Sequence, residues 1–391
     1  MEQIAKPHCG ARLDRLPDCR WHSSMFAMVA FGLLVCWSNA VGGLILAQLK
    51  ELGWTDNSTT ATFSAITTAG MFLGALGGGI IGDKIGRKNA FILYEAIHII
   101  AMVIGAFSPN MSFLIACRFV MGVGLGALLV TLFAGFTEYM PGRNRGTWSS
   151  RVSFIGNWSY PLCSLIAMAL TPLISAEWNW RVQLLIPAAL SLIATVIAWR
   201  SFPESPRWLE SRGRYAEAEE IMRAIEGRVA RQTGKPLPPV VIDDDGKPPR
   251  AVPYSALLTG GLLKRVILGS FVLIAMNVVQ YTLINWLPTI FMTQGINLKD
   301  SIVLNTMSMF GAPFGIFIAM LVMDKIPRKT MGVGLLVLIA ALGYIYSLQT
   351  SMLLITLIGF FLITFVYMYV CYASVVYVPE IWPTEAKGRC E

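Results

Sequence analysis

Apolar residues fall along this chain in runs of about 18 to 27 positions nearly free of Lys, Arg, Asp and Glu, the length a helix needs to cross hydrocarbon. Read this way the sequence predicts ten spans, about 23–48, 59–81, 89–107, 111–138, 147–172, 181–201, 264–292, 302–323, 329–348 and 352–378. The pattern predicts an all-α integral membrane protein: a cytoplasmic tail (1–22), a six-helix bundle (23–201), a cytoplasmic linker (202–263) and a four-helix segment (264–391). Composition agrees. Of 391 residues, 55% are hydrophobic and only 14% charged, and the mean hydropathy of +0.60 excludes most soluble enzymes.

Charge adds the orientation. With the tail inside, 27 of the 31 Lys and Arg lie on that face, Arg118 lies within a span, and Lys50, Arg181 and Lys299 face outward. That asymmetry explains the net charge of +8 better than nucleic acid does, and it predicts a multi-pass protein of the plasma (inner) membrane with a cytoplasmic amino terminus. A polar leader without a small-residue cleavage site predicts that the first span is retained. In the linker, Ser205 to Leu209 followed by Tyr215 to Val229 reads as one or two short amphipathic helices near the membrane surface, and Lys235 to Pro249 as extended or disordered chain.

Two loops repeat. Asp83-Lys84-Ile85-Gly86-Arg87-Lys88 recurs 241 residues later as Asp324-Lys325-Ile326-Pro327-Arg328-Lys329, and Glu138-Tyr139-Met140-Pro141 returns at a nearly equal distance as Glu380-Ile381-Trp382-Pro383. The halves are therefore parallel repeats, the arrangement of transporters whose site lies between them. The duplication places the end of a complete second half near about residue 443, so the expectation is two parallel six-helix repeats with the last two helices missing.

Gly79-x-x-x-Asp83-Lys84-x-Gly86-Arg87-Lys88, Arg118-x-x-x-Gly122-x-Gly124-x-Gly126 and Pro203-Glu204-Ser205-Pro206-Arg207-Trp208-Leu209 together resemble the major facilitator superfamily, in its branch of sugar and metabolite porters, including proton symporters. The resemblance implies alternating access by rocking of two bundles around a central cavity. It also makes Asp83 a gate latch, a role extended here to Arg87, Glu138 and Arg145 and, in the second half, to Asp324, Arg328 and Glu380. A topology-setting charge cluster is the simpler reading for the cations alone. Members of the branch often carry aspartate in the first helix, where this chain has Trp37-Ser38-Asn39.

Several polar residues lie at lipid depth. Arg118 costs at least about 2.5 kcal/mol to insert and should face a wet cavity or a partner. Glu95 and His98, three apart, are candidates for proton coupling, with snorkelling or a structural ion pair as the alternative for Glu95. Asn277, Tyr281 and Asn285 share one helix face, with Gln280 and Trp286 alongside, which suits a small polar ligand or interhelical hydrogen bonding. Asn39, His98, Asn157, Trp158 and Tyr372 complete the expected lining, although Tyr and Trp also serve as interface anchors. Gly70, Gly74 and Gly78, like Gly122 and Gly126, read as close-packing positions.

Three histidines and seven cysteines (Cys9, Cys19, Cys36, Cys117, Cys163, Cys371, Cys390) show no metal-ligand spacing, and G-x-x-x-x-G-K-[ST] is absent. The expectation is a monomeric, gradient-driven transporter of a small polar metabolite, an organic acid or sugar-like compound, with protons as coupling ion, the bilayer as solvent and no cofactor or enzyme chemistry. The competing expectation is an inactive remnant or a non-transporting sensor of the same fold.

Overall fold

The computed structural model describes residues 7–35, 40–141, 145–234, 236–240, 260–323, 325–349 and 351–377. The chain divides into two compact units, Met1–Ser159 with Leu173–Asp243, and Tyr160–Pro172 with Asp244–Glu391. Among the described residues, eight helical segments are long and apolar enough to cross a membrane.

The first unit begins with α1 (Cys9–Asp14), α2 (Arg20–Val35) and α3 (Gly42–Glu51). The long helices α4 (Asn57–Ile85), α5 (Arg87–Ala106), α6 (Met111–Tyr139) and α9 (Ala176–Ser201) form its body, with α7 (Arg145–Gly156) packed on α2. Helix α8 (Ser159–Leu170) lies almost wholly in the second unit, and α10 (Pro206–Ser211) and α11 (Tyr215–Thr233) follow α9. The second unit continues with α12 (Gly260–Thr293), α13 (Leu298–Met309), α14 (Gly311–Val322), α15 (Arg328–Ser347) and α16 (Met352–Cys371), which runs into a π-helix at Tyr372–Tyr377.

Local sequence sets several starts. Asp56 accepts from Thr59 N at 2.7 Å, Asn110 from Phe113 N at 2.9 Å and Asn297 from Asp300 N at 2.9 Å, each a side chain capping an otherwise orphaned amide. The predicted spans 147–172, 23–48 and 302–323 each come as a pair of shorter helices, the last as α13 and α14 on either side of Phe310. The run 147–172 breaks between α7 and α8 at Asn157 and Trp158, just before Pro161, which has no N–H to continue the ladder; Asn157 Nδ2 instead donates to Ser153 O at 2.7 Å. The run 23–48 comprises α2 and α3.

Glycines set the two closest crossings. A Cβ on Gly78 would lie 2.7 Å from Ala127 Cα, and one on Gly74 2.8 Å from the Val123 carbonyl carbon, so α4 and α6 meet backbone to backbone. In the second unit Gly311 and Gly315, 241 residues after Gly70 and Gly74, press in the same way against Phe360 and Thr364 of α16. The duplication thus reaches the packing.

The apolar face of α11 is covered by protein. Ala218, Met222, Ile225 and Val229 join one buried cluster with Cys9, Leu13, Leu16, Trp21 and Met25 from the start of the chain.

Candidate functional site

Within the first unit, helix periodicity puts Glu95 and His98 on one face of α5, and both are fully buried. Gly124 lets α6 approach: a Cβ there would stand 3.0 Å from His98 N. His98 Nδ1 lies 3.1 Å from Met121 O. Arg118, also buried, sends Nε to Thr67 Oγ1 at 3.3 Å and lies over the Phe63 ring at 4.7 Å. Among the described residues, neither Glu95 oxygen and not His98 Nε2 finds a hydrogen-bond partner. Snorkelling is therefore excluded for Glu95, whose side chain is enclosed. An unpaired carboxylate is costly to bury, and a proton bound there removes the charge.

At the loop end of the same unit, Arg87 joins two acids: Nη2 lies 2.9 Å from Asp83 Oδ1 and Nε 2.9 Å from Glu138 Oε1. Gly86 turns the chain at φ 98°, and a Cβ there would come 2.8 Å from Glu204 Cδ. Glu204 Oε1 uses that space to accept from Arg87 N (2.8 Å) and Lys88 N (3.2 Å), capping α5. Trp208 Nε1 donates to Asp83 O at 2.6 Å, and Ser205 Oγ to Glu138. Asp83 thus pairs one turn along its own segment, and α4, α5, α6 and α10 are tied at a single turn.

In the second unit the buried polar groups at helix depth are, among the described residues, uncharged. Asn285 is buried on α12, with Gln280, Tyr281 and Trp286 half-buried beside it. Asn305 Nδ2 on α13 donates to Ser164 Oγ on α8 at 3.2 Å, and Tyr160 meets Tyr367 edge to face at 5.6 Å. Asn305 Oδ1 is buried without a partner among the described residues, and the buried Tyr367 hydroxyl faces Tyr160 and Gln280. Tyr372 is buried against Gly332 and lies between the Tyr369 and Tyr377 rings at 5.9 and 5.5 Å. Such a set offers hydrogen bonds and aromatic faces without an ionic anchor.

Other expected residues stand apart from these groups. Asn157 bonds within its own helix, Trp158 is exposed, and Arg328 donates to Met323 O. Asn39, Asp324 and Glu380 lie outside the described residues, and of Arg145 only the backbone is described. The sequence reading missed the Asn305–Ser164 pair and Tyr367, although Asn305 inside an apolar run carries the general signal of a polar residue at lipid depth. Among the described residues no cluster of His, Cys, Asp and Glu could hold a metal ion.

Comparison with known proteins agrees with the all-helical membrane fold. Residues 19–390 match the Major Facilitator Superfamily model. The chain is 92% identical over 389 residues to YdjK of Escherichia coli (strain K12), provisionally named as a metabolite transport protein, covering all of this chain and 85% of that one. It is 42% identical over 383 residues to the inner membrane metabolite transport protein YdjE of the same strain, covering 97% and 84% respectively. In fold it is similar to the xylose transporter XylE from E. coli, with a TM-score of 0.69, 17% identity, and coverage of 90% of this chain and 84% of that chain. The chain belongs to the Major Facilitator Superfamily, as a multi-pass membrane transporter of metabolites and not an enzyme.

Proposed function

We propose that this protein moves a small polar metabolite together with protons by alternating access, as a monomer of the inner membrane with its amino terminus in the cytoplasm. The observation that carries the proton half is Glu95, enclosed at helix depth with both oxygens unpartnered among the described residues, one turn from His98. A carboxylate so placed gains most from taking up a proton, because the proton removes a charge that nothing beside it balances. The uncharged amides and phenols around Asn285, Asn305 and Tyr367 support a ligand recognised through hydroxyl or carbonyl groups. XylE, similar in fold, is a proton:xylose symporter, and YdjE is named as an inner membrane protein.

The test is proton movement in vesicles. Protein in liposomes loaded with a pH-sensitive dye is offered a panel of labelled polyols, sugars and hydroxy acids, with and without an imposed pH gradient. At least one member should enter faster with an inward proton gradient and change the internal pH. Glu95→Gln should abolish the pH change while leaving exchange of labelled for unlabelled compound. Entry that proceeds at equal speed with no gradient removes the proton from the mechanism. No entry of any compound favours a non-transporting protein of the same fold.

A further inference from the structure

The first residues described are bound to the linker by a set of contacts that the transport mechanism leaves unused. Arg12 grips Glu226 with two bonds, Nε to Oε1 at 3.0 Å and Nη2 to Oε2 at 2.7 Å, and its Nη1 reaches Glu219. Arg15 adds a bond to Glu226 at 2.6 Å, and Arg207 of α10 reaches back to Asp14 at 3.0 Å. The backbone joins in, Cys9 N donating to Glu210 at 2.7 Å. Beneath these polar ties Cys9, Leu13 and Leu16 are fully buried against α11.

What α10 and its flanking residues hold is the turn between α4 and α5, and α11 packs on α10. Trp208 and Arg212 both donate to Asp83 O, and Glu204, just before α10, caps the amides of Arg87 and Lys88. We propose that the segment from Cys9 to Leu16 is an intramolecular strap that, through α10 and α11, positions the Asp83–Lys88 turn. Arg12 is then a positioning residue for a turn carried by segments roughly seventy residues further along the chain. Two features favour a closing device over general packing. The ties are charge-assisted, the one from Arg12 to Glu226 is bidentate, and they join segments whose partners lie over 200 residues apart, so local helix propensity does nothing to maintain them. The buried Cys9 thiol, pushed up to about 12 by burial and by the Glu210 bond, is shielded from alkylation while the strap is docked.

The test uses the full chain in phosphatidylethanolamine and phosphatidylglycerol nanodiscs, with backbone hydrogen exchange followed by mass spectrometry. Arg12→Glu should raise exchange about tenfold, the change that a coupling near 1.4 kcal/mol produces, in α11 and also in the peptide carrying Arg87 and Lys88. Adding Glu226→Arg should restore both regions. With Cys9 kept as the single cysteine, its alkylation should quicken in step. Faster exchange in α11 with an unchanged Arg87–Lys88 peptide overturns the positioning role, as does a charge swap that restores nothing. Should Arg12→Glu fail to accumulate, Arg12→Lys keeps the charge but loses the two-pronged bond, and it must show a smaller rise in both regions; no rise at the turn overturns the proposal equally.

Discussion

The contact between α4 and α6 makes a prediction whose sign changes within six residues of one helix. At Gly74 and Gly78 an added Cβ meets α6 backbone at 2.8 and 2.7 Å, where ordinary contact begins near 3.4 Å. Backbone cannot swing aside as a side chain does, so the helices must part, by roughly 0.7 Å at Gly78 and by more at Gly74, where the Val123 carbonyl oxygen is nearer still, and forfeit dispersion along the whole crossing. Overpacking of this kind costs about 1–3 kcal/mol. At Gly77 and Gly79 nothing lies within 4 Å, and alanine there gains about 0.5–1 kcal/mol in helix preference. Apparent melting by fluorescence-detected size exclusion, at one fixed heating time, separates the two pairs. Gly74→Ala and Gly78→Ala should lower the midpoint by about 2–4 °C for each kcal/mol, whereas Gly77→Ala and Gly79→Ala should leave it level or raise it. Four equal shifts would refute the argument, because glycine would then matter to α4 only through its flexibility.

Other tests address the loop end and the buried arginine. Burial raises the Glu226 carboxyl, but the bonds from Arg12 and Arg15 more than reverse this and hold it below its ordinary range; at Glu219 burial is likewise outweighed by Arg12 and Arg223. A depressed native value gives stability that is present above the ordinary carboxylate value and lost as pH falls through the native one. Strap exchange, corrected for its intrinsic rate, should therefore be flat from about pH 8 to 5 and rise below about pH 4; a rise centred near neutrality would contradict the assignment. Trp208→Phe keeps the ring in its cluster but removes the donor to Asp83 O, and exchange at that turn should rise by the factor that about 0.5–1.5 kcal/mol produces. Arg118→Lys keeps a cation but gives up the flat contact over Phe63 and the bond to Thr67, so the apparent melting midpoint should fall by the equivalent of about 0.5–2 kcal/mol, with Phe63→Leu falling less.

How much was legible follows from the range of each interaction. The long helices and the duplicated turn could be read because hydropathy and short motifs are local, and the 241-residue repeat even pairs Gly70 and Gly74 with Gly311 and Gly315 at matching crossings. Proton-site candidates could be read because a charge at lipid depth is conspicuous wherever it points. That Glu95 is enclosed, with no ion-pair partner among the described residues, depends on its rotation about α5 and on the approach of α6 at Gly124, which no single segment records. The strap was invisible for the same reason. An amphipathic pattern states that the face of α11 is covered, and only the fold states that Leu13 and Leu16 cover it. The break at Asn157 had a local cause in Pro161, yet average hydropathy over the run passed across it.

These observations locate stiffness and flexibility in the first unit. Helices α4 and α6 run 29 residues each without interruption and touch backbone to backbone at Gly74 and Gly78, while Arg87 ties their loop ends to the start of α5 through Asp83 and Glu138. Such a group has few ways to deform except as one body, since separating the helices exposes close-packed backbone and bending their ends breaks an ion pair held by a capped turn. The run from 147 to 172 differs: it is interrupted between α7 and α8 at Asn157 and Trp158, next to the point where the chain leaves the first unit for the second. A helix broken where a proline withholds a donor changes direction at less cost than an intact one. Movement in this unit should therefore concentrate at the break and spare the glycine crossing, with the strap setting where the stiff group's basic turn rests.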